Sequence, residues 1–84
     1  MPDIAPQPAL DADAFFDAGD GGCAGPALGQ INRILEALPP GRTLEVRSTD
    51  RTGRDNFRAY CRMRGYVIER ELETEDGDRL LVRR

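Results

Sequence analysis

Apolar residues recur along the chain in two rhythms. Leu28, Ile31, Leu35 and Leu38 fall at three- and four-residue steps, with Ile34 widening the stripe, so one side of a helix is apolar. The spacing predicts a first helix from about Pro26 to Leu38. A proline opens it, where its fixed φ suits the first helical position, and Pro39-Pro40-Gly41 stops it. From Thr43 to Ser48 the period changes to two: Leu44 and Val46 alternate with Glu45 and Arg47, the pattern of a strand with one wet face. Phe57, Tyr60 and Cys61 return to helical spacing. They predict a second helix of roughly three turns, begun after Ser48-Thr49-Asp50, residues that cap helix starts, and closed by Gly65 as its C′ residue. Tyr66 to Leu72 reads as a strand, Asp76-Gly77 as a two-residue hairpin turn, and Arg79 to Arg83 as the partner strand. Upstream, Ala14-Phe15-Phe16 predicts a short buried strand within Asp13 to Ala18, ended by the loop Gly19-Asp20-Gly21-Gly22.

The order is strand, helix, strand, helix, strand, strand. Strands separated by a helix pair in parallel through a right-handed crossover, and the last two pair antiparallel through a tight turn. Each helix has one apolar stripe and the better strands alternate, so both helices belong on one face of a mixed four-stranded sheet. The expected fold is α+β, a two-layer α/β sandwich, with Glu45, Arg47, Glu69, Glu71 and Arg79 on the open face. Residues 1–12, rich in proline and without apolar periodicity, are expected as a mobile leader to one domain spanning residues 13–84.

Composition narrows the chemistry. All twelve basic residues are arginine, against fifteen acidic residues and a net charge of −3, which argues against nucleic acid as a partner. No run reaches the ~18 apolar residues of a membrane span, and the start lacks the features of a signal peptide, so a soluble, cytoplasmic protein is expected. Cys23 and Cys61 are the only cysteines and histidine is absent, which leaves no four-ligand zinc set and no histidine base; neither a metal nor a cofactor is expected. A structural disulfide is disfavoured in a reducing cytosol.

One cysteine sits where chemistry is favoured. Cys23 lies between Gly22 and Ala24-Gly25-Pro26, where a glycine loop becomes a helix start. Unpaired backbone N–H groups and the positive end of the helix dipole there favour the thiolate. Cys61, by contrast, shares a helix face with Phe57 and reads as a packed core thiol. Arg51, Arg54, Arg58 and Arg62 recur at helical spacing; they form either a solvated face or a dock for an acidic protein partner or an RNA backbone, the RNA reading weakened by the lack of interleaved aromatic residues.

Phe16-Asp17-Ala18 leading through glycines to Cys23, the block Pro40-Gly41 with Thr43-Leu44-Glu45-Val46, then Thr49-Asp50, and finally Ala59-Tyr60-Cys61 with Gly65 together resemble the TusA/SirA-like sulfur-carrier family, over about Asp13 to the C-terminus. In that family the first helix opens on a Cys-Pro-x-Pro motif whose cysteine carries a persulfide. The resemblance implies that Cys23 is the carrier, that Pro26 corresponds to the second proline, and that the partners are sulfur-donor and sulfur-acceptor proteins. Ala24 stands where the first proline belongs, and Asn56 replaces an aspartate frequent near the second helix. This divergence motivates an alternative: a non-enzymatic interaction module that keeps the fold and has lost sulfur transfer.

Overall fold

The computed structural model describes residues 8–19, 26–49, 54–75 and 77–84. Six elements follow in the expected order: β1 (Ala14–Gly19), α1 (Pro26–Ala37), β2 (Thr43–Ser48), α2 (Arg54–Arg64), β3 (Val67–Thr74) and β4 (Gly77–Arg83). The strands form one mixed sheet in the order β1-β2-β4-β3. β1 lies parallel to β2, with Phe16 opposite Val46, while β4 runs antiparallel to both β2 and β3. The first strand-helix-strand unit thus joins neighbours, whereas the second skips one position and β4 fills the gap. A two-layer sandwich results, with both helices on one face.

The core lies between that face and the helices. Ile31 and Leu35 of α1 and Phe57 and Cys61 of α2 pack with Leu44, Val46, Leu80 and Val82 in one buried cluster. Phe16, Ala14 and Ile68 extend it from the outer strands. These residues are the stripes and alternations of the sequence, which is why periodicity locates them. Helix ends follow local chemistry as well. Gly65 has φ 80°, and the bonds from Gly65 N–H to the Arg62 carbonyl and from Tyr66 N–H to the Cys61 carbonyl close α2 in a Schellman turn. At the end of α1, the Arg84 guanidinium donates to the carbonyls of Glu36 and Leu38, which have no partner within the helix.

Two expectations need correction. The first concerns the open face, against which residues 8–12 of the expected leader lie. The N–H groups of Ala9 and Leu10 donate to the Glu45 carboxylate, and Leu10 is buried. Glu45 and Arg79, expected in solvent on that face, are therefore buried beside this strap. Residues 1–7 lie outside the described residues. The second correction is to Glu71. The register of β3 shifts between Ile68 and Arg70, and such a bulge moves every later side chain to the other face. Glu71 consequently pairs with Arg58 of α2, while Glu69, the residue the register skips, pairs with Arg83.

The β3–β4 turn imposes the tightest local demand. Gly77 has φ 127°, and a Cβ there would stand 2.8 Å from the Ser48 carbonyl oxygen. Both backbone conformation and space require glycine. Gly77→Ala is expected to destabilise the fold by about 1–3 kcal/mol, read as a lower urea midpoint with an unchanged slope.

Candidate functional site

The parallel pairing of β1 and β2 decides where the chain leaves the sheet. Gly19, the last residue of β1, lies opposite Ser48, the last of β2. The Thr49 N–H donates to the Gly19 carbonyl at 3.1 Å, and the Thr49 hydroxyl donates to the same oxygen at 3.2 Å. Asp17 braces this exit from both sides. Its Oδ1 accepts from the Gly19 N–H at 3.0 Å and from the Arg47 guanidinium at 2.8 Å. Gly19 itself has φ 58°, a left-handed turn that glycine adopts without the Cβ penalty.

Residues 20–25 carry the chain from this exit to Pro26, where α1 begins. Cys23, Gly22, Ala24 and Gly25 lie in that connection, outside the described residues; Arg51, between β2 and α2, is outside them too. What is fixed on either side is the end of β1 and the first turn of α1. No acidic side chain occupies that first turn, so nothing within the helix competes for its N–H groups or repels an anion there.

The same end of the sheet also receives the start of α2. Arg54, the first residue of that helix, pairs with Glu73 at 3.4 Å and with the buried Asp78 at 3.2 Å. Arg58, one turn on, contacts Asp55 at 3.1 Å and Glu71 at 2.6 Å. The hydrogen bond to Glu71 holds the Arg58 guanidinium above its ordinary pKa. Two members of the arginine series thus tie α2 to β3 and β4, while Arg62 is exposed. The lateral neighbours come from residues far apart in sequence, which helical spacing alone does not disclose.

The opposite end, where both helices finish, has its own polar network. Asn32 Oδ1 accepts from the hydroxyls of Tyr60 and Tyr66, and Glu36 pairs with Arg64 at 2.8 Å. Burial pushes the Tyr60 phenol above its ordinary pKa. A groove of about 720 Å³ opens there among Glu36, Met63, Arg64, Gly65, Tyr66 and Arg84. A smaller one of about 340 Å³ runs between α2 and β3, with Cys61 in its floor beside Arg58 and Arg62. Cys61 is 1% exposed, as a packed thiol should be. The larger groove is remote from the strand ends that lead to Cys23. Among the described residues no group of acidic, histidine or cysteine side chains could hold a metal ion, and no helix is long and apolar enough to cross a membrane.

No family model matches the chain, and no curated protein sequence matches it.

The sequence pattern did not disclose Glu45 as a buried anchor. The available signal was a glutamate between Leu44 and Val46, with Arg79 placed at the hairpin's far side; pairing the two required knowing that β4 lies next to β2. For the arginines, Arg54→Ala leaves the Asp78 carboxylate buried with one cation fewer. It is expected to cost about 1–3 kcal/mol, whereas Arg62→Ala should leave the urea midpoint unchanged.

Proposed function

We propose that the chain is a small sulfur carrier of the TusA-like kind, with Cys23 as the atom-carrying residue. One observation supports this most. β1 ends at Gly19 and α1 begins at Pro26, three positions after Cys23, so the cysteine falls in the connection that opens the first helix, as the resemblance implies for the carrier. A cysteine so close to a helix start gains from its free N–H groups and dipole, which stabilise a thiolate without a histidine.

The chemistry needs little else. The Cys23 thiolate attacks the outer sulfur of a donor persulfide, a new S–S bond forms, the donor's S–S bond breaks, and the donor leaves as its thiolate. The persulfide on Cys23 is again anionic and benefits from the same N–H groups. An acceptor's nucleophile then takes the outer sulfur, and Cys23 returns to the thiolate. No net oxidation occurs. Sulfur-donor and sulfur-acceptor proteins would dock over the Cys23 loop at the end of the sheet where β1 and β2 finish, in a cytoplasmic setting. Arg54 and Arg58 are held in ion pairs with β3, β4 and Asp55, which leaves Arg62 as the more available docking cation of that helix.

Intact-mass measurement after exposure to a persulfide donor tests the proposal. Wild type should gain one sulfur atom, removable by a thiol reductant, and Cys23→Ser should gain none. Cys61→Ser should behave as wild type, because its thiol is buried in the core cluster. An adduct that disappears with Cys61→Ser instead, or none on wild type, would overturn the assignment and favour the interaction module that has lost transfer.

A further inference from the structure

The sheet face turned away from the helices carries a built seat that sulfur transfer leaves unused. By register, Phe15, Glu45, Leu81 and Arg70 form one row across the four strands, and Asp17, Arg47, Arg79 and Leu72 form the next. Glu45 is fully buried and Arg79 nearly so; their side chains meet at 2.5 Å. The Arg79 guanidinium also lies 5.9 Å from the Phe15 ring centre. Upon this pair rests the strap of residues 8–12. The Ala9 N–H reaches both Glu45 carboxylate oxygens at 3.0 Å, and the Leu10 N–H reaches one at 2.7 Å. Leu10 and Leu81 are each only 7% exposed.

Replacing a buried ion pair by apolar residues of the same volume is often neutral or stabilising, so stability alone is a weak account of this one. What this pair supplies is recognition of main chain. One carboxylate, fixed by an arginine, holds two successive backbone N–H groups, beside a seat for one leucine side chain. Peptide-binding surfaces divide the work in this way, with main-chain hydrogen bonds for affinity and a side-chain pocket for choice. Among the described residues, the N–H groups of Ala9 and Leu10 bond a side chain and not a strand. Firm attachment begins at Asp13, whose N–H donates to the Thr43 carbonyl at 3.1 Å and whose carboxylate accepts from the Thr43 N–H at 2.9 Å. Asp13 is therefore the anchor point, and residues 8–12 are the part able to lift. On the same face, beyond the seat, β3 presents Leu72 and Val67 at 38% and 45% exposure, apolar surface available to a longer occupant.

We infer that this face is a peptide-binding groove, closed in the resting chain by its own residues 8–12. Its partner is a protein segment that offers two consecutive backbone N–H groups and a leucine-sized side chain, with no proline at those two positions. The strap is its resident occupant and competitor.

The test uses the full chain and a fluorescein-labelled peptide with the sequence of residues 5–13. Leu10→Asp should release the strap and bind the peptide saturably, at least tenfold more tightly than wild type, where the attached strap competes. A peptide with aspartate in place of the leucine should not bind. A Leu10→Asp protein that melts cooperatively yet fails to bind the peptide at millimolar concentration overturns the inference. Hydrogen exchange on wild type decides independently if that variant does not fold. The Ala9 and Leu10 amides should exchange at least tenfold faster than the slowest ladder amides of β2 and β4. Equal rates would make the strap an inseparable part of the core and also overturn it.

Discussion

The parallel register of β1 on β2 is the constraint on which the rest of this molecule depends. Two neighbouring parallel strands cannot be joined by a hairpin, so the chain must leave at Gly19 and return along the sheet as α1 before β2 can begin at Thr43. That return places the start of α1 at the end where both strands finish. The Asp17–Arg47 pair and the Thr49–Gly19 bonds hold this exit. The two points that residues 20–25 connect are thus a consequence of strand pairing, and the chemistry proposed for Cys23 rests on the helix start that follows it.

Around this frame the apolar supply is short. One compact cluster fills the space between sheet and helices, and the margins are closed by arginine–carboxylate pairs: Arg54 and Arg58 at one flank, Arg64 at the helix ends, Arg79 beneath the strap. The exposed ones among them, such as Arg64–Glu36, contribute little to stability individually. Their geometry does more. Guanidinium forks reach across elements and set how α2 sits on β3 and how residues 8–12 sit on β2. The absence of lysine gives every one of these clamps the same planar donor set.

Much of the fold was legible because its rules are local. Leu28, Ile31 and Leu35 announced α1, Leu44 and Val46 announced β2, and Asp76-Gly77 announced the hairpin, each through periodicity or turn chemistry. Gly65 behaved as the helix terminator it resembled. What escaped was non-local. The insertion of β4 between β2 and β3 could not be read from either strand, and with it went the Glu45–Arg79 pair. The bulge at Ile68–Arg70 reversed the face of Glu71, since a single extra residue inverts a two-residue period. Leu10, alone among prolines and small residues, carried no periodic signal, yet its burial turns part of the leader into a strap. For the candidate site, residue type and spacing nominated Cys23 and Pro26, and the structure describes the strand end at Gly19 and the helix start at Pro26 on either side.

The central claim is that the helix start beside Cys23 activates its thiol. The most direct measurement is the rate of alkylation by iodoacetamide against pH, in the folded Cys61→Ser protein so that Cys23 alone reports. The account predicts a titration midpoint below the ordinary cysteine value of about 8.5, and a return towards that value on unfolding in urea. A midpoint at or above 8.5 in the folded protein, or a Cys23 that resists alkylation until unfolded, would contradict it.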